Sequence, residues 1–94
     1  MVKHIVIYKL KEGVQKQEAV KHIAGCLEPL VGQIPGLLHM EVRPTCMGDT
    51  DYVLYSEFAS QKALKDYQVH PLHLAAKEQF HHLLATRTCG DYET

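Results

Sequence analysis

The stretch VKHIVIYKL, residues 2–10, decides the fold of this chain. Side chains alternate between the two faces of a strand, so Ile5 and Ile7 share one face. The opposite face carries the intervening residues His4, Val6, Tyr8 and Leu10. Both faces are apolar near the middle of the stretch, which is typical of a central strand that is covered on both sides.

The segment after this strand predicts a helix over residues 16–31, because apolar residues recur there at spacings of three and four. Pro29 is expected to bend or restart the helix near Glu28, since proline inside a helix removes a hydrogen bond at a cost of about 3 kcal/mol. Ile34-Pro35-Gly36 ends the segment, because a residue before proline is extended and glycine tolerates the turn.

The remaining strands are predicted over residues 37–43, 52–58 and 86–92, and the first two form a hairpin. Ser60 is a good N-cap for a second helical region. That region is interrupted at His70, which is expected to cap a new helix.

The new helix begins at Pro71 and is expected to run to about Leu84. The resulting order β-α-β-β-α-β predicts an α+β, ferredoxin-like fold: a four-stranded antiparallel sheet with the helices on one face, in a single domain spanning residues 1–94.

The sheet face that carries Ile5 and Ile7 then has no cover within the chain, and an exposed apolar patch of this kind marks an interface. A second copy packed face to face is the simplest partner, so we expect a homodimeric α+β barrel.

The composition argues against several classes of partner. The formal net charge is -1, with seven histidines beside it, so no basic field attracts nucleic acid or an anionic membrane surface. No apolar run approaches the ~18 residues of a membrane span, and the N-terminus lacks a cleavage site. Three cysteines without a CxxC pair indicate reduced, partly buried thiols and a cytoplasmic protein.

Four segments of the chain together resemble the stress-responsive A/B barrel family, of the dimeric α+β barrel superfamily. They are VKHIVIYKLKEG at residues 2–13, IPG at 34–36, DYQVHPLH at 66–73 and DYE at 91–93. The resemblance implies a homodimer whose two sheets form the barrel. The family includes a cofactor-free tetraketide cyclase, whose catalytic tyrosine and histidine match Tyr67 and His73, and whose pocket-lining histidine matches His4.

The residues themselves suggest a site beneath the helices. His73 lies in the first turn of the helix from Pro71, where the free amides and the helix dipole are expected to lower its pKa. A neutral His73 and the phenol of Tyr67 are the predicted catalytic pair, removing a proton next to a carbonyl and stabilising the enolate without a cofactor. The predicted substrate-binding residues are His4, Val6, Tyr8 and Phe80.

Other interpretations of the same residues remain open. A histidine in a first helical turn is often a structural partner for a backbone carbonyl, and a tyrosine on an apolar stripe is usually core. The chain is then a non-catalytic stress or ligand-binding protein, while a cofactor-free monooxygenase-like activity rests on fold analogy alone.

No metal site is predicted. His73 and His81 are eight residues apart, ~12 Å along one helix, which is too far for a shared ion. His22, His81 and His82 are expected to be solvated, and His39 is compatible with either face of its strand.

Overall fold

The computed structural model describes all residues, 1–94, and has the predicted element order. The elements are β1 (Val2–Leu10), α1 (Lys16–Leu27), β2 (Leu37–Pro44), β3 (Tyr52–Phe58), α2 (Gln61–Gln68), α3 (Pro71–Glu78) and β4 (Leu84–Glu93). The strands form one antiparallel sheet in the order β2-β3-β1-β4, which confirms the ferredoxin-like α+β fold. None of the helices is both long enough and apolar enough to cross a lipid bilayer.

Strand β1 is central in the sheet, between β3 and β4, as its two apolar faces predict. Its even-numbered residues, from Val2 to Leu10, are all buried beneath the helices. Ile5 and Ile7 are only half-buried, because no helix covers their face of the sheet. The alternation read from the sequence therefore gives the two faces correctly.

The core lies between the sheet and α1, whose apolar stripe faces inward. Ile23 and Leu27 of α1 are almost completely buried, and Phe58 of β3 is fully buried. Burying one such side chain contributes about 1.5–3 kcal/mol, so this stripe fixes the helix on the sheet.

Two turns place the helices as the sequence indicates. Helix α1 ends at Leu27 and continues as a short 3-10 turn, Glu28–Leu30, which confirms the break expected from Pro29. Gly36 then adopts φ +84°, and a Cβ added there would lie 2.5 Å from the Cβ of Ala63. Only glycine allows β2 to start this close to α2.

Both predicted N-caps are confirmed. The Ser60 hydroxyl accepts a hydrogen bond from the backbone N–H of Ala63 at 3.1 Å, and Nδ1 of His70 accepts one from Leu72 N–H at 3.1 Å. His70 has extended backbone angles and opens α3, two residues after α2 ends at Gln68. The chain therefore turns sharply between Tyr67 and His73.

The predicted extension of this helix to Leu84 is wrong, because α3 ends at Glu78. A 3-10 turn, His81–Leu83, follows, and β4 begins at Leu84 rather than at residue 86. The reason is strand pairing: Leu84 pairs with Leu10, and the backbone N–H of Lys11 donates to the Leu83 carbonyl at 2.9 Å.

The open face of the sheet carries a continuous apolar centre. Ile5 lies opposite Tyr55 and Ile7 lies opposite Val53, so the four side chains form one patch across β1 and β3. His39 is exposed on the same face, with its ring centroid 5.9 Å from that of Tyr55, which resolves the ambiguity left by the sequence. No part of the chain covers this patch.

Candidate functional site

A cavity of about 460 Å³, the helix-side cavity, lies on the covered face of the sheet. Five of the six predicted site residues line it: His4, Tyr8, Tyr67, His73 and Phe80. Val6 is not among the lining residues, because its side chain is buried in the core. The volume lies within the 300–1,000 Å³ range of small-molecule sites.

Tyr67 and His73 form a stacked pair in this cavity. Their ring centroids are 4.2 Å apart and their planes are inclined by 29°. Tyr67 lies in the last turn of α2 and His73 in the first turn of α3, so the break between the two helices brings the rings together. Tyr67 also packs against Phe58, with centroids 5.1 Å apart, which fixes its ring.

The hydrogen bond of His73 determines which ring nitrogen can take a proton. Its Nδ1 lies 3.3 Å from the carbonyl oxygen of Gln68. A carbonyl only accepts hydrogen bonds, so Nδ1 carries the hydrogen and Nε2 keeps its lone pair. In the neutral ring, Nε2 is therefore the nitrogen that can accept a proton.

The pKa of His73 is lowered from its ordinary value, as predicted from the sequence, but the main cause is different. Burial disfavours the charged ring most strongly. The positive charges of Lys77 and Arg87, together with His4, lower the pKa further, while the hydrogen bond to Gln68 opposes them. Burial, rather than the start of the helix, thus keeps His73 neutral near pH 7.

The pKa of Tyr67 is shifted in the opposite direction from that of His73. Burial raises its pKa above the ordinary value, and the nearby Tyr8 adds to the rise. The phenol therefore keeps its proton and acts as a hydrogen-bond donor. The Tyr67 hydroxyl has no hydrogen-bond partner within the chain. It is not fully buried either, because the only fully buried side-chain polar atom without a partner is the Tyr52 hydroxyl.

A second histidine is held by a residue that sequence reasoning missed. His4 is buried, and its Nδ1 is hydrogen-bonded to the Asp91 carboxylate, which lies directly opposite it on β4. The carboxylate accepts the hydrogen on Nδ1, and this contact fixes the orientation of the ring. Asp91 belongs to the DYE segment, but its partner becomes evident only from the pairing register of β1 and β4.

Cys89 lies beside this pair. Its Sγ is 3.7 Å from Nδ1 of His4 and 3.6 Å from Oδ1 of Asp91, and the three donor atoms lie within 4.8 Å of one another. The cysteine and the carboxylate both approach the same ring nitrogen, so they cannot relay a proton through the imidazole as a catalytic triad does. The cluster brings together ligand types that bind Zn²⁺, a grouping that the sequence reading did not anticipate.

The prediction of partly buried thiols is wrong for two of the three cysteines. Cys46 and Cys89 are exposed, because one lies in the hairpin turn and the other on the edge strand β4. Only Cys26, on α1, is half-buried. All three are free thiols.

The end of α3 at Glu78 also changes the environment of His81. The separation of ~12 Å from His73 applied to one continuous helix, whereas both residues line the helix-side cavity. His81 is exposed at the cavity, together with Lys77 and Arg87, which the sequence reading also missed. His22 and His82 are exposed, as predicted.

Comparison with known proteins identifies clear relatives of this architecture. The sequence model of the stress responsive A/B barrel domain matches residues 2–94. No curated protein matches the chain significantly. A dimeric protein of unknown function with a ferredoxin-like fold from Bacteroides fragilis is 32% identical, with a TM-score of 0.89, and the match covers 99% of this chain and 95% of that one.

Two more distant structures have the same fold. A Dabb family protein from Mesorhizobium loti is 22% identical, with a TM-score of 0.76 and coverage of 99% of this chain and 95% of that chain. The hydroxynitrile lyase of Passiflora edulis is 16% identical, with a TM-score of 0.80 and coverage of 97% and 90%. At these identities the likeness concerns the fold alone.

Proposed function

Because the chain belongs to the stress responsive A/B barrel domain family, we propose that it is a homodimer that binds a small carbonyl-bearing molecule in the helix-side cavity. The proposed reaction is proton transfer next to the carbonyl, as in a lyase or a cyclase, without a cofactor. One observation carries the proposal: a histidine that is neutral and a tyrosine that keeps its proton are stacked 4.2 Å apart in the same cavity.

The two side chains have complementary roles. Nε2 of His73 takes a proton from the carbon next to the carbonyl. The electron pair of that C–H bond forms the C=C bond of the enolate, and the π electrons of the carbonyl move to its oxygen. The Tyr67 hydroxyl donates a hydrogen bond to that oxygen and stabilises its negative charge. His4 lines the same cavity, and its ring is held in place by the Asp91 carboxylate. Positioned general bases typically contribute about 10²–10⁴-fold to a rate.

The homodimer is proposed to form through the open sheet face. Ile5, Ile7, Val53 and Tyr55 form an uncovered apolar patch there, and the Bacteroides fragilis relative is a dimeric protein. Sheet-to-sheet packing of two copies buries the patch and leaves the helix-side cavity of each protomer accessible. The free thiols are consistent with a reducing compartment, so we place the protein in the cytoplasm.

A non-catalytic ligand-binding role is the second candidate. The packing of Tyr67 against Phe58 and the hydrogen bond from His73 to Gln68 also serve to stabilise the fold. In that case the cavity binds its ligand unchanged. A measurement of proton transfer separates the two candidates.

The test uses butyrophenone, a neutral aryl ketone, in deuterated buffer. NMR follows the replacement of hydrogen by deuterium at the carbon next to the carbonyl. We expect exchange that depends on the protein and that falls at least 100-fold in His73→Ala and about 10-fold or more in Tyr67→Phe. His82→Ala, at an exposed histidine that does not line the cavity, is the matched control and is expected to retain the rate.

Melting temperatures establish that each variant is folded. If the wild type gives no exchange above buffer, or if His73→Ala exchanges at the wild-type rate while folded, the proposed reaction is wrong. Binding without exchange would then support the non-catalytic role.

A further inference from the structure

The charged residues that line the helix-side cavity all have one sign. Lys77 of α3 and Arg87 of β4 are the two formal charges, and no aspartate or glutamate lines the cavity. This is not a consequence of composition, because the chain has 11 acidic residues against 10 lysines and arginines. The cavity is therefore positive in a chain whose net charge is -1.

Neither cation is neutralised by the protein. The side chains of Lys77 and Arg87 take part in no salt bridge; the lysine and arginine that do are Lys62 and Arg43, which do not line the cavity. The side chains that interact with the Arg87 guanidinium are the hydroxyl of Tyr8 and the thiol of Cys89, and burial raises the pKa of both, so neither is an anionic partner near pH 7. Two unpaired cations at the wall of one cavity attract an anion.

The Asp91 carboxylate, which contacts the cavity residue His4, is already engaged. It accepts the hydrogen bond from Nδ1 of His4 and does not line the cavity. The cavity thus has aromatic and apolar walls, a proton-transfer pair and two cationic groups without an acidic partner. A ligand that fills it completely must supply the negative charge.

We propose that the ligand of the helix-side cavity is a carbonyl-bearing carboxylic acid, whose carboxylate is bound by Arg87 and Lys77. The inference rests on the proposed function and specifies its substrate class. A guanidinium binds a carboxylate in a planar, bidentate manner, and an ammonium group adds a point charge. The ketone of the same ligand then lies beside His73 and Tyr67.

Binding of the carboxylate also acts on His73. The groups that face its ring are Lys77 on its own helix, His4 on β1, Arg87 on β4, and the stacked Tyr67 ring and the Gln68 carbonyl of α2. Burial raises the pKa of the Tyr67 phenol, so Tyr67 stays uncharged in this pH range. A bound carboxylate offsets the two cations, so the ring gains affinity for a proton. The acid is therefore expected to bind more tightly as the pH falls toward 6, whereas a neutral ligand gains nothing from this coupling.

The test compares 4-oxo-4-phenylbutanoate with its methyl ester, because the ester lacks the negative charge and adds only one methyl group. Isothermal titration calorimetry at pH 7 measures both dissociation constants. We expect the acid to bind about 10-fold more tightly than the ester, as one charge-assisted contact permits. Lys77→Met and Arg87→Gln each reduce this ratio, and the double variant brings it to about one.

Lys62→Met is the matched control, because Lys62 is a lysine on the neighbouring helix that does not line the cavity. The ratio is expected to remain at the wild-type value in this variant. Equal affinities of acid and ester for the wild type, or a preference that survives in the double variant, would overturn the inference. If the acid binds more tightly than the ester but butyrophenone does not exchange, the carboxylate site is supported and the proposed reaction is wrong. If butyrophenone exchanges but acid and ester bind equally, the proposed reaction is supported and the carboxylate site is wrong.

Discussion

Replacing Ile5 and Ile7 by alanine is expected to dissociate the proposed dimer without unfolding the protomer. Each substitution removes three carbon groups, whose complete transfer out of water is worth about 2.4 kcal/mol. The side chains are already half-buried in the protomer, so dimerisation gains about half of this amount from each of them. A symmetric interface contains each residue twice, so the double variant loses about 5 kcal/mol of dimerisation free energy. The dissociation constant then rises by more than 1,000-fold.

Sedimentation equilibrium over a range of protein concentrations measures this change directly. The matched control is Leu72→Ala, which truncates an exposed apolar side chain on α3, away from the open sheet face. Its dissociation constant is expected to equal that of the wild type. A wild-type protein that is monomeric at micromolar concentration would contradict the proposed sheet-to-sheet dimer, and so would a double variant that dimerises as tightly as the wild type.

Two further predictions concern stability. Gly48→Ala is expected to cost about 1–2 kcal/mol of unfolding free energy, because it forces alanine into φ +99° although no neighbour lies within 4 Å. Gly36→Ala adds the clash with Ala63 and is expected to cost about 2–5 kcal/mol. Equal losses of unfolding free energy in urea denaturation would contradict the close contact between Gly36 and Ala63. Because the pKa of His73 is lowered in the folded protein, the stability that it contributes is fully present above pH 6.5 and is lost as the pH falls through the folded-state pKa. His73→Gln is therefore expected to flatten the pH dependence of the unfolding free energy below pH 6.5. A curve for His73→Gln that coincides with that of His82→Gln would contradict this expectation.

The sequence predicts most of the fold because its signals are local. The alternation in Val2–Leu10 gives the central strand with its correct bounds, and the capping chemistry of Ser60 and His70 gives the starts of α2 and α3. The proline at position 29 likewise gives the end of α1. Each of these features depends on a few adjacent residues, so no long-range contact is needed to infer it.

The errors arise where distant parts of the chain meet. The end of α3 at Glu78 follows from pairing of Leu84 with Leu10, more than seventy residues away in sequence. The contact of Asp91 with His4 depends on the same pairing. Lys77 of α3 and Arg87 of β4 also line one cavity, which the periodicity of each separate element could not indicate.

The central claim is that His73 is a neutral base whose Nδ1 carries the hydrogen and whose Nε2 is free in the cavity. Long-range ¹H–¹⁵N NMR of the imidazole groups during a pH titration measures both the tautomer and the pKa. We expect the Nδ1–H tautomer at pH 7 and a midpoint below 6.5. An Nε2–H tautomer, or a ring that is still protonated above pH 6.5, would contradict it.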